Sequence, residues 1–177
     1  TLPQHVLPDL LAFVLGLAVA YFLKWETRDL VWSLWLGSLV LGYLTVLSTI
    51  GAGAYLGLCV LRQEGLSRRQ RRVALVAGTA ACVFFLTFFS FHFCGFHAGH
   101  SVFLGHFFPL EGLKSEGFIK AIMNPPLLWA LVFRHLMVPY GLFLIPALIA
   151  ERKVVFGPLL LAFEKAREAR LASGALQ

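Results

Sequence analysis

Apolar residues in this chain follow neither the strand period nor the amphipathic-helix period; they run on in long blocks separated by short charged clusters. The first block covers about residues 6–23 and ends at Lys24-Trp25-Glu26-Thr27-Arg28-Asp29, where an aromatic and mixed charges mark an interface. The second, Leu30 to Leu61, has no charge over 32 residues, about 48 Å of helix. The third, residues 73–110, is uncharged over 38 residues. The fourth covers about residues 127–150. Asn124-Pro125-Pro126 before it reads as a cap followed by helix-starting prolines, and Pro139 and Pro146 within it predict kinks. Beyond Glu151-Arg152-Lys153, a C-terminal helix over about residues 158–171 is expected to lie on or emerge from the inner surface.

A hydrocarbon core roughly 30 Å thick needs about 20 apolar residues per span, and backbone groups inside it can bond only to one another. The blocks therefore predict an all-α integral membrane bundle of about four spans, one domain over residues 1–177, with a bent or extended third helix and an interfacial C-terminal helix. The second block overshoots one bilayer, so it either tilts and projects or bends near Gly51-Ala52-Gly53. Gly53 and Gly57 form a Gly-x-x-x-Gly pair, expected to pack within the chain, with a dimer face and a homo-oligomer as the alternative. The third block is expected to cross once, its surplus near His92 to Leu110 projecting, bending or re-entering at the outer face.

Charge orients these spans. The net charge of +6 gathers in five arginines between Arg62 and Arg72 and five basic residues after Ala150, against Lys24, Arg28, Lys114 and Lys120 on the other side. That distribution follows membrane topology, so it argues against nucleic acid and predicts an inner-membrane protein with both termini cytoplasmic, its partners being membrane lipids. Cys59, Cys82 and Cys94 all lie in apolar stretches and make no disulfide framework. The first block lacks a basic leader and a small-residue cleavage site, so no cleavable signal peptide is expected.

Four of the six histidines fall between His92 and His106, inside an uncharged block where an imidazole is costly unless it holds a proton, a metal or another group. At about 100° per residue, His97, His100 and His106 point near 140°, 80° and 320° from His92. His97 and His100, three apart, face a common direction and could bind one ion, which His92 joins only if the helix bends, with Gly95 and Gly99 as the hinges available. On that condition His92, His97, His100, His106 and Glu26 are candidate ligands for zinc or another divalent transition metal; the Cys94-to-His97 spacing is a weak addition. Glu26, Asp29 and His135 are then candidate catalytic groups of a membrane-embedded metal-dependent hydrolase acting on a lipid or small apolar substrate. Arg134, charged within a span, is expected to pair with Glu26 or Asp29.

Three other readings compete. The histidines could be axial ligands of a non-covalent haem in a redox protein, there being no Cys-x-x-Cys-His. They could relay protons or metal ions in a transporter. Most simply, they could hydrogen-bond to backbone, Ser90, Ser101 or one another in a polar core, with the ten phenylalanines from Phe84 to Phe108 packing or lining an apolar pocket.

The stretch Phe91-His92-Phe93-Cys94-Gly95-Phe96-His97-Ala98-Gly99-His100 resembles a His-Tyr-Gly-Gly-Phe-His type motif in a family of uncharacterised bacterial multi-pass membrane proteins, with Phe93 in place of the tyrosine and Cys94 in place of a glycine. Trp25-Glu26 resembles that family's aromatic-acidic pair at the end of the first span. The resemblance marks His92, His97, His100 and Glu26 as signature positions and implies no activity.

Overall fold

The computed structural model describes residues 6–62, 65–113 and 115–174, with side chains to residue 171; Lys114 lies outside the described residues. Those residues are all-helical, with no strand beyond an isolated bridge between Leu110 and Leu113. The elements are α1 (Val6–Phe22), α2 (Thr27–Leu61), α3 (Arg68–Phe107), α4 (Ser115–Ala121), α5 (Pro125–His135), α6 (Met137–Tyr140), a 3-10 turn (Gly141–Phe143) and α7 (Leu144–Gly174). Two helices, α2 and α3, are long and apolar enough to cross a membrane, and a third span results if α5 and the helix after it count as one.

Helix starts follow local chemistry. At α3, Gln70 Oε1 accepts from the Ser67 amide at 2.9 Å while Ser67 Oγ accepts from the Gln70 amide at 3.3 Å, a reciprocal capping box legible in the sequence and not anticipated above. At α5 the expected cap is present: Asn124 Oδ1 accepts from the Leu127 amide at 3.1 Å and Pro125 opens the helix. Before α2, Asp29 Oδ2 accepts from the Glu26 amide at 2.9 Å.

The chain divides into two compact units, Thr1–Tyr43 with Phe88–Arg152, and Leu44–Thr87 with Lys153–Gln177. In the first, α2 and α3 run antiparallel. Trp32 Nε1 donates to the Phe108 carbonyl at 2.8 Å, Ser38 meets His97 at 3.1 Å, and the Tyr43 and Ser90 hydroxyls bond to each other. Trp32, Leu36, Leu39, Cys94, Phe118, Leu128 and Val132 form the fully buried core between α2, α3, α4 and α5. Two glycines permit the close approaches. A Cβ on Gly95 would stand 2.7 Å from the Ile122 carbonyl oxygen, and one on Gly42 would stand 2.5 Å from the tip of the Phe93 ring. In the same unit α1 lies antiparallel to the segment Tyr140–Arg152: Arg152 bonds Asp9 at 2.7 Å, a Cβ on Gly16 would stand 3.5 Å from Phe143, and Trp25 meets Tyr140 edge to face at 5.8 Å. The second unit pairs α2 and α7 in parallel, with Tyr55 against Phe163 at 4.9 Å.

Several expected boundaries shift. Both α2 and α3 are unbroken, so neither Gly51-Ala52-Gly53 nor Gly95 and Gly99 interrupt them. Gly95 is small because the Ile122 carbonyl lies against it. Gly53 and Gly57 have no atom within 4 Å of where a Cβ would sit, so the packing expected of that pair is not made among the described residues. The loop from Glu111 to Asn124 contains α4. The fourth block breaks at Leu136, where α5 and the helical segment that starts at Met137 meet at 61°, one turn ahead of Pro139, whose ring excludes a straight continuation. No separate helix starts at residue 158. α7 runs through Pro158 to Gly174, giving up one backbone hydrogen bond at the proline.

Gly95→Ala is expected to destabilise the protein by roughly 1–3 kcal/mol, because backbone rather than a flexible side-chain end opposes the new methyl. Gly99→Ala, with open space around it, is expected to be near neutral. Thermal melts of both variants in one detergent check the contrast.

Candidate functional site around His97

Because α3 continues without a break through Gly95 and Gly99, its histidines keep their helical directions, and only one faces the core. His92, His100 and His106 are exposed, while His97 is 6% exposed. The exposed rings rest on phenylalanines of their own helix: His92 stacks on Phe88 at 5.8 Å, His100 lies 6.0 Å from Phe96, and His106 lies 5.2 Å from Phe107.

His97 is held differently. Its Nδ1 lies 3.0 Å from the Phe93 carbonyl oxygen, which can only accept, so Nδ1 carries a proton and donates. Its Nε2 lies 3.1 Å from Ser38 Oγ on α2, and that oxygen is also 2.9 Å from the Trp35 carbonyl. One hydroxyl proton thus has two acceptors. When the imidazole is neutral, Ser38 donates to Nε2; when it is charged, Nε2–H donates to Ser38 Oγ and the hydroxyl proton turns to Trp35 O. Every polar group named here keeps a partner in both states, with no movement of heavy atoms.

Aromatic rings enclose the imidazole: Phe93 at 4.1 Å, Trp35 at 5.7 Å and Phe96 at 6.0 Å between centroids. Their π-systems suit a cation as well as a neutral ring. Ser101 Oγ donates back to the His97 carbonyl at 2.7 Å, a bond within α3 that does not touch the ring. Trp35 Nε1 is buried with no hydrogen-bond partner among the described residues, an N–H left free at the site.

The expected ligand set does not assemble. Among the described residues no three of His, Cys, Asp and Glu converge as metal donors. His92, His100 and His106 are strung along about 20 Å of one continuous helix, and both His97 nitrogens are engaged, so these residues do not fit a shared ion, nor does His97 offer a ring nitrogen to haem iron. Cys94 is fully buried in the core. Glu26 is exposed. Arg134 is exposed too and forms no ion pair with Glu26 or Asp29 among the described residues, while His135 is half-buried. Asp29 is occupied otherwise: Tyr140 donates to its Oδ1 at 2.9 Å, and Arg28 lies 3.8 Å from the same oxygen. Tyr140, Trp35 and Ser38 were not anticipated. Ser38 and Trp35 stand one helical turn apart in α2, but nothing in the sequence says which α3 residue that turn meets.

A family model described as a family of unknown function, DUF6498, matches residues 6–152, and the chain belongs to that family. No curated protein and no solved structure matches the chain.

His97→Ala is expected to lower stability by roughly 2–4 kcal/mol through the cavity and the unpaired Ser38 and Phe93 groups. His92→Ala, His100→Ala and His106→Ala, on exposed rings, are each expected to stay within about 0.5 kcal/mol. Melting temperatures of the four variants check the ranking; equal effects would remove the distinction.

Proposed function

We propose that this member of DUF6498 is an integral membrane protein that takes up and releases a proton at His97, a proton-coupled protein rather than a metal-dependent hydrolase. The observation that carries the reading is the Ser38 hydroxyl, placed between Nε2 and the Trp35 carbonyl so that the ring is fully hydrogen-bonded with or without its second proton. His100 stands one turn along α3, and α2 presents the uncharged Ser38 and Trp35 to the ring.

In this reading the chain crosses the inner membrane four times: along α1, along α2, along α3, and from α6 into α7. Support comes from the uncharged length of α2 and α3, and from the pairing of α1 with Tyr140–Arg152. The arginines from Arg62 to Arg72 then face the cytoplasm with both termini.

Trp35, 5.7 Å from the imidazole, is the reporter for the test. Tryptophan emission of the purified protein is expected to change with pH as the ring gains charge, and to keep that change in His92→Gln, His100→Gln and His106→Gln. In His97→Gln it should vanish, and in Trp35→Phe it should fall with the reporter. A pH profile unaltered by His97→Gln would overturn the proposal.

A further inference from the structure

In the unit formed by Leu44–Thr87 and Lys153–Gln177, the basic residues gather at one end of the helices. A Cβ on Gly51 would stand 3.7 Å from Leu159, and Tyr55 meets Phe163, so α2 and α7 advance together toward Arg62 on one and Lys165 and Arg167 on the other. Six residues after Arg62 the chain re-enters a helix at Arg68, and Arg69, Arg71 and Arg72 follow. All seven cations are exposed, and none takes part in an ion pair among the described residues. Glu164 and Glu168 offset them only in part.

Two features say what covers this collar. The first is its border. Val73 and Val76 follow the arginines on α3, and Leu160, Leu161 and Phe163 precede Lys165 on α7, all of them exposed, so an apolar surface gives way to a basic one within about a turn on each helix. That is the order of materials in a bilayer leaflet, acyl chain and then headgroup. The second is the position of the arginines on α3. They occupy the first turn of the helix, just past the Ser67–Gln70 cap and at the positive end of its dipole, and no acidic residue stands in that turn. Like charges concentrated there repel one another and the helix end, and an anion relieves both.

We propose that this basic collar binds the phosphate headgroups of anionic phospholipids. The arginines of α3 supply the bidentate contacts, Arg62, Lys165 and Arg167 add charge at the flanks, and the exposed valines and leucines hold the acyl chains of the same lipids.

The test uses the full chain in nanodiscs of phosphatidylcholine alone and of phosphatidylcholine mixed with phosphatidylglycerol, reading retained lipid by native mass spectrometry after mild delipidation. The wild type is expected to retain phosphatidylglycerol over phosphatidylcholine. The combined variant Arg68→Gln, Arg69→Gln, Arg71→Gln, Arg72→Gln should lose that preference at least about five-fold, the size expected of even one interfacial cation. If the combined variant fails to fold, a salt series on the wild type decides, since headgroup binding of this kind must weaken as ionic strength rises. Equal retention of the two lipids by the wild type, a preference indifferent to both variant and salt, or retained RNA in place of phosphatidylglycerol would each overturn the proposal. The proton-binding reading is unaffected by any of these, because its readout is the His97-dependent emission.

Discussion

The antiparallel seam between α2 and α3 organises the first unit. Its polar ties fall at Trp32 with the Phe108 carbonyl, at Ser38 with His97, and at Tyr43 with Ser90, so the numbering rises on one helix as it falls on the other. In an apolar surrounding such ties are few because each donor and acceptor brought in must be matched. Between them the seam is filled by large apolar groups, and the close contacts are set by what glycine leaves open. Shifting the register by one residue would separate all the ties together, and this fixes which histidine faces inward.

That inward choice was the part of the site hidden from the sequence. The helical block containing His92 to His106 was legible because apolar length alone forces a helix in lipid. The directions of the four rings relative to one another were legible too, at about 100° per residue. What was missing was the absolute direction of the seam, which depends on α2 and on the α4–α5 segment, far away in sequence. A metal centre was expected on condition that α3 bent at Gly95 or Gly99. The unbroken helix leaves the imidazoles apart and assigns Gly95 to the Ile122 carbonyl instead.

Boundaries followed the same division. The Asn124 cap was readable because a cap is a contact between near neighbours, and the Ser67–Gln70 box was equally local, although its polar signal sat beside a dense run of arginines. Long-range effects were not readable. Pro139 announces an interruption, but the 61° turn at Leu136 is completed by Tyr140, which is tied to Asp29 on α2 and packed against Trp25. Pro158 announces an interruption as well, and α7 passes through it. Asp29 joins these cases: its carboxylate, a candidate for chemistry, anchors the break in the fourth block and the start of α2.

Phe93 serves two partners at once. Its ring fills the space a side chain on Gly42 would need, and its carbonyl receives the Nδ1 proton of His97. Residues 42 and 93 are therefore not free to drift independently over evolutionary time. A lineage that acquires alanine at 42 must shrink or turn the aromatic opposite it, and any backbone adjustment that follows is felt at the imidazole one turn later. Substitution histories at this pair and at His97 should accordingly be correlated, a signature that outlasts any change in the surrounding lipid-facing residues.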